Sequence, residues 1–103
     1  MKKRYYIYQL PYTNRNIFRS YKDNTINLCD YVATWTDEVD TDKNDLEFCE
    51  ELFEIFNIRH PEHFAGHSIS VSDIVRIMID DMSQYYFCDS IEFKNIQVKF
   101  EGW

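Results

Sequence analysis

Between positions 42 and 56, apolar residues recur at intervals of three and four. They are Leu46, Cys49, Leu52, Phe53 and Phe56. This spacing places all of them on one side of an α-helix, and Thr41 or Asp42 is positioned to cap its first turn. Most of the remaining positions are acidic. The sequence therefore predicts one amphipathic, acidic helix over about 42–56.

Several other segments are rich in aromatic and β-branched residues, as strands usually are. They are 4–10, 31–35, 73–79, 84–89 and 91–100. The polar stretch 80–83 separates two of them, which predicts a hairpin with a loop of four or five residues. We expect an α+β fold: an antiparallel sheet of about four or five strands with the helix over 42–56 packed on one face.

The length of 103 residues, with 45% hydrophobic and 17% aromatic residues, suits one packed core, so we expect a single domain over 1–103. No apolar run is long enough to cross a membrane, and the start does not resemble a secretory signal. Cys29, Cys49 and Cys88 have no CxxC spacing. They are interpreted as reduced, mostly buried thiols of a cytoplasmic protein.

Charge is distributed unevenly along the chain, whose net charge is -7. The first 29 residues carry six Lys or Arg and one Asp, whereas residues 30–54 carry ten Asp or Glu and one Lys. So dense an acidic block repels phosphate backbones and attracts Lys/Arg-rich surfaces. The pattern predicts a basic protein partner for this segment, and neither direct nucleic-acid binding nor a membrane partner.

The candidate partner-binding residues are the carboxylates of this block and one nearby aromatic residue. They are Trp35, Asp37, Glu38, Asp40, Asp42, Asp45, Glu47, Glu50, Glu51 and Glu54. A run of charge is often only a solvated helix face. Here, however, Glu47 with Glu51 and Glu50 with Glu54 repel at helical spacing without interleaved lysines. That cost favours a binding role, with an exposed Trp35 as a possible anchor.

A second candidate site is a histidine cluster. His60, His63 and His67 lie within eight positions, and a thiol or carboxylate could complete a tetrahedral zinc shell. The alternative is that His60 and His67 bond backbone groups and hold a loop together. Zinc is therefore a possible cofactor, and no other is indicated.

The serines near His67 do not form a hydrolase motif. Ser68, Ser70 and Ser72 precede Asp73, but there is no Gly-x-Ser-x-Gly elbow. Ser72 and Asp73 are better explained as acceptors for backbone donors at a tight turn. We predict no catalytic residues and no enzymatic activity.

Motifs in the second half of the chain resemble a known family. The string Gly66-His67-Ser68-Ile69-Ser70-Val71-Ser72-Asp73, together with 56–57, 60–65, 85–86 and 88–94, is similar to the YodL-like domain of Gram-positive plasmids and conjugative elements. The opening segment 8–10 fits as well. The resemblance implies a module of mobile-element proteins, without an enzymatic role.

Two functions are compatible with these observations. Small acidic proteins of mobile elements resemble, as a class, inhibitors of host defence such as anti-CRISPR and antirestriction proteins, an analogy of context. The leading hypothesis is an inhibitor that blocks the nucleic-acid-binding groove of a host effector, with a Cas nuclease as the expected target. The alternative is a zinc-stabilised accessory module of plasmid conjugation or maintenance that docks through the histidine loop.

Overall fold

The computed structural model describes residues 1–15, 17–18, 26–58 and 68–99. In chain order the elements are β1 (Lys2–Gln9), β2 (Ile26–Asn27), a short 3-10 helix (Leu28–Asp30), β3 (Val32–Asp40), α1 (Asp45–Ile58), β4 (Ile74–Ile79), β5 (Met82–Cys88), β6 (Phe93–Ile96) and β7 (Val98–Lys99). Five strands form one antiparallel sheet in the order β3-β1-β4-β5-β6. This architecture confirms the predicted α+β fold.

The helix α1 covers one face of the sheet. Strand residues on that face alternate with residues on the other, as the two-residue period of a strand requires. The buried cluster under α1 joins Tyr5 and Ile7 of β1 and Val75 and Ile77 of β4 to the buried side of the helix. Four helix residues supply that side: Phe48, Cys49, Leu52 and Phe56.

A smaller cluster lies on the opposite face. It joins Leu28, Ile74, Phe87 and Ile96, beneath the two-stranded parallel sheet formed by β2 and β7. The remainder of that face carries half-buried polar and aromatic residues. Both faces of the sheet are therefore partly covered. Because β4 is central and both of its sides are largely buried, its sequence is almost continuously apolar.

Three local predictions need correction. The second predicted strand extends to Asp40, because Val39 packs on the core beyond the segment 31–35. The hairpin between β4 and β5 has a loop of two residues, with Asp80 at a φ of 53°, which an Asp tolerates better than most residues. The helix begins at Asp45, and Asn44 caps it by accepting the Glu47 N–H at 2.9 Å.

Candidate functional site

The outward side of α1 carries four glutamates. At about 100° per residue, Glu47, Glu50, Glu51 and Glu54 fall within an arc of about 100° opposite the buried side. Glu47, Glu50 and Glu54 are exposed, and Glu51 is half-buried. The nearby Lys43 pairs with Glu51. We call these four side chains the glutamate face of α1, and it is the part of the predicted acidic surface that the fold gathers in one place.

Two exposed apolar side chains border the glutamate face. Leu46 is 50% exposed and Phe53 is 38% exposed, although helical spacing predicts both for the buried stripe. Phe48 takes the buried place that the sequence assigned to Leu46, because the helix is rotated toward its Phe48 side. The Phe53 ring meets Phe93 edge-on at 6.4 Å between centroids. The outward side of α1 is thus both acidic and apolar.

A shallow depression joins these two kinds of side chain. Its lining is Lys43, Glu47, Glu50, Glu51, Phe53 and Glu54. It is open to solvent and is bounded by carboxylates with one aromatic ring. Such a surface matches a partner that offers Lys or Arg side chains whose aliphatic stems can lie on Phe53.

Asp45 does not belong to the glutamate face. Its side chain points into the fold, where one carboxylate oxygen accepts from Lys3 Nζ at 2.8 Å and the other from the Tyr86 hydroxyl at 2.7 Å. Lys3 also donates to the Lys43 carbonyl, and only 5% of its side chain is exposed. Burial, followed by the Asp45 carboxylate, raises the pKa of Tyr86 and keeps its hydroxyl a donor. Asp45 thus joins α1 to the sheet, and its predicted contact with a partner stays a prediction.

The remaining carboxylates lie away from the helix. On β3, Asp37 lies on the same sheet face as Trp35, whereas Glu38 and Asp40 lie on the other face. Asp40 and Asp42 both accept from the Met1 amine, at 2.8 and 3.4 Å. The nine predicted carboxylates consequently occupy several faces, and four of them lie together on the outward side of α1.

Trp35 is not an exposed anchor. It is half-buried and packs against the core beneath α1, with its ring edge-on to Phe56 at 5.9 Å between centroids. Its Nε1 donates to the Tyr5 hydroxyl at 3.0 Å. Trp35 lies on the same face of β3 as the half-buried Val39, and both side chains extend the core to the edge of the sheet.

A family model for the YodL-like domain matches residues 4–100. The chain belongs to the YodL-like domain family. Comparison with curated proteins and with solved structures gives no match. The match runs from Arg4 within β1 to beyond β7, so it includes the glutamate face and Asp45 but not Lys3.

The predicted histidine site falls outside the described residues of this YodL-like domain. His60, His63 and His67 all lie in the segment 59–67. Among residues 1–15, 17–18, 26–58 and 68–99, no group of three or more His, Cys, Asp and Glu is arranged to hold a metal ion. The zinc hypothesis stays a prediction of the sequence.

The polar turn before β4 behaves as the sequence predicts. Asp73 is fully buried and accepts from the Ser70 N–H at 2.9 Å and from Gln9 Nε2 at 3.0 Å. The Ser72 hydroxyl accepts from the Phe18 N–H at 3.0 Å, and Ser72 has a φ of 86°. These side chains hold the backbone that leads into β4.

The cysteines of the YodL-like domain differ in exposure. Cys49 and Cys88 are buried and Cys29 is exposed, and all three are free thiols. Burial raises the pKa of Cys49, and it raises the pKa of Cys88 to about 12. Both buried cysteines are therefore neutral packing residues at physiological pH. In the described part of the chain, no helix is long and apolar enough to cross a membrane.

Some important residues could have been found from the sequence. Lys3 alternates with Tyr5 and Ile7, so its place on the buried face of β1 follows from the strand period. Asn44 stands three residues before Glu47, which is the spacing of a helix cap. The exposure of Leu46 and Phe53 has no such signal, because both fit the helical spacing of a core face.

Proposed function

We propose that this YodL-like domain is a protein-binding inhibitor whose glutamate face covers the nucleic-acid-binding groove of a host defence protein. The observation that carries the proposal is the set of four glutamates on one side of α1, bordered by exposed Leu46 and Phe53. A protein groove that binds nucleic acid is lined by Lys and Arg, so it presents the complementary charge.

Electrostatic repulsion within the glutamate face supports a role beyond stability. The pairs Glu47–Glu51 and Glu50–Glu54 each destabilise an isolated helix by about 0.3 kcal/mol. Only Lys43 offsets this charge among the residues that line the depression. The repulsion would be relieved if a cationic surface lay against the helix, and that relief would favour binding.

The apolar residues supply the second ingredient of an interface. Protein interfaces have an apolar or aromatic centre and a polar rim, and a few central residues carry most of the binding energy. Phe53 lies in the depression, and Glu50 and Glu54 surround it. We therefore assign to Phe53 the anchor role that was predicted for Trp35 from the sequence.

A Cas nuclease is the target class that best fits this chemistry. Its guide and target strands occupy a long, positively charged channel, and a carboxylate-bearing helix could lie in that channel in place of the nucleic-acid backbone. Exclusion of this kind requires no catalytic residue. A target of this kind would require a cytoplasmic domain, which the sequence predicts, and it suits the mobile-element setting that the resemblance implies.

The test is displacement of target DNA from a panel of purified Cas nuclease–guide complexes, followed by fluorescence anisotropy. We expect the domain to prevent DNA binding by at least one complex. The effect should weaken as salt is raised from 50 to 500 mM, because the screening length for charge–charge attraction falls to about 4 Å at the upper concentration. The double variant Glu50→Lys with Glu54→Lys should weaken displacement by about tenfold or more.

A matched control separates the glutamate face from total charge. Asp30→Lys with Asp81→Lys reverses two exposed carboxylates away from the outward side of α1, so both variants carry the same altered net charge. The control should stay within about twofold of the unaltered protein. The proposal is contradicted if every complex keeps its DNA, or if the control loses as much activity as the α1 variant.

A further inference from the structure

Strand β3 is an edge of the main sheet. It pairs with β1 on one side, and within the described part of the chain no strand lies against its other side. It has nine residues and contains neither Pro nor Gly. Natural sheets usually shorten, bend, charge or cover such edges, because their free N–H and C=O groups can pair with another chain. The strand β3 carries three exposed carboxylates, and its pairing with β1 is irregular at Ile7 and Tyr8. These features disfavour most added strands, but a strand of complementary charge could still be added at the open side of β3.

The backbone groups that face outward can be identified. The Thr41 N–H donates to the Met1 carbonyl at 2.9 Å, so Thr41 belongs to the ladder with β1. In an antiparallel pair, residues alternate between facing the partner and facing away. By this alternation, the backbone groups of Asp37 and Val39 pair with β1, and the N–H and C=O groups of Thr36, Glu38 and Asp40 face outward.

One observation agrees with this assignment. The Glu38 N–H donates to the carboxylate of its neighbour Asp37 at 2.7 Å. A group engaged in the ladder with β1 would not be available for that bond. The Asp37 carboxylate thus accepts from the outward Glu38 N–H, and a carbonyl oxygen of an added strand would have to replace it as the acceptor.

The side chains of β3 select the charge of a strand that could pair with it. Asp37, Glu38 and Asp40 are exposed, and β3 itself carries no Lys or Arg. The Met1 amine, Lys2 and Arg4 offset part of this charge from the inner strand β1. An added strand would lie on the outer side, directly beside the carboxylates, where opposite charges stabilise cross-strand pairs and like charges destabilise them.

We propose that the outer edge of β3 binds an extended segment of another protein, bearing Lys or Arg at alternate positions, as an added strand. Recognition of this kind combines main-chain hydrogen bonds with side-chain charge pairs. A second copy of the chain is the poorer occupant, because pairing of two β3 strands would place carboxylates against carboxylates. The proposal does not depend on the glutamate face of α1, which lies on a different element.

The test uses amide hydrogen exchange, measured by NMR on the intact domain. The probe is a capped octapeptide of alternating lysine and valine. At a peptide concentration about nine times its Kd, the amides of Thr36 and Asp40 should exchange about tenfold more slowly, because only about a tenth of the edges remain free. The amides of Asp37 and Val39, already paired with β1, should change little.

Two matched peptides and two variants define the outcomes. A glutamate–valine octapeptide should have no effect, because its charges are repelled. The lysine–valine peptide methylated at every backbone nitrogen should not slow Thr36 or Asp40, because its N-methyl groups prevent the close approach of the two backbones and it cannot donate to the outward carbonyl groups of β3. The variant Glu38→Lys with Asp40→Lys should bind the lysine–valine peptide about tenfold more weakly, whereas the Asp30→Lys with Asp81→Lys variant should bind it normally.

Three results would overturn the inference. The first is binding of the lysine–valine peptide with unchanged exchange at Thr36 and Asp40, since that would be contact through charge alone. The second is equal slowing by the methylated peptide. The third is slowing caused by a higher concentration of the domain itself, which would identify a second copy as the occupant. None of these results bears on displacement of DNA by the glutamate face.

Discussion

At the residue scale, the contact between Lys3 and Asp45 shows how a charge run can conceal a structural residue. Asp45 stands in a dense series of acids, and from sequence alone it reads like its neighbours. Its helix position, however, is on the buried side with Cys49 and Phe56, and a buried lysine from β1 meets it there. Buried charges are stable only when paired and hydrogen-bonded, as both of these are.

Removing the lysine should therefore destabilise the fold. In Lys3→Met the Asp45 carboxylate loses its cation, and we expect the free energy of unfolding to fall by about 3 kcal/mol. This value is at the low end for a broken buried pair, because Asp45 keeps some contact with solvent. The measurement is urea denaturation followed by circular dichroism. The matched control is Lys43→Met, whose exposed pair with Glu51 should contribute less than about 1 kcal/mol. Equal losses in the two variants would contradict a structural role for Lys3.

At the element scale, the start of α1 is set by one side chain. Asn44 accepts the Glu47 N–H, and the Asn44 carbonyl accepts the Phe48 N–H at 2.9 Å. Thr41, a cap candidate from the sequence, instead accepts the Lys43 N–H at 3.2 Å in the connection. Position relative to the apolar stripe predicted Thr41 or Asp42 as the cap, whereas the backbone path makes Asn44 the cap.

The cap gives a prediction for the helix as a unit. Asn44→Ala should lower the free energy of unfolding by about 1 kcal/mol, because one donor of the first turn loses its acceptor. Asn44→Asp should cost much less, since a carboxylate accepts the same bond and also suits the positive end of the helix. Thermal unfolding of the two variants provides the measurement. A larger loss for Thr41→Ala than for Asn44→Ala would show that the helix starts elsewhere.

Elements with a clear period were predictable, and their orientation was not. The strand β1 and the helix α1 follow from alternation and from three- and four-residue spacing. The rotation of α1 does not follow, because Leu46, Phe48 and Phe53 are all apolar and only packing on the sheet decides which of them is buried. The length of β3 was also missed, since acidic residues are uncommon in strands and hid its second half.

At the scale of the whole molecule, the fold distributes one acidic segment over several separate surfaces. Asp37, Glu38 and Asp40 lie on the edge strand of the sheet, Asp45 faces the core, and four glutamates lie together on the outward side of α1. Net charge alone predicted a basic partner, but it could not separate these surfaces, because charge along a sequence does not specify the face on which it lies. The zinc site in the histidine segment 59–67 stays a prediction from the sequence.

The proposal that the glutamate face makes the contact is tested most directly by carboxylate labelling of the domain, first free and then bound to a Cas nuclease–guide complex that it is found to keep from DNA. A carbodiimide with glycine ethyl ester modifies exposed carboxylates, and mass spectrometry reports the extent at each residue. We predict that labelling of Glu47, Glu50 and Glu54 falls on binding, while Asp30 and Asp81 react as in the free domain. Unchanged labelling of the three glutamates in the bound domain would contradict the account.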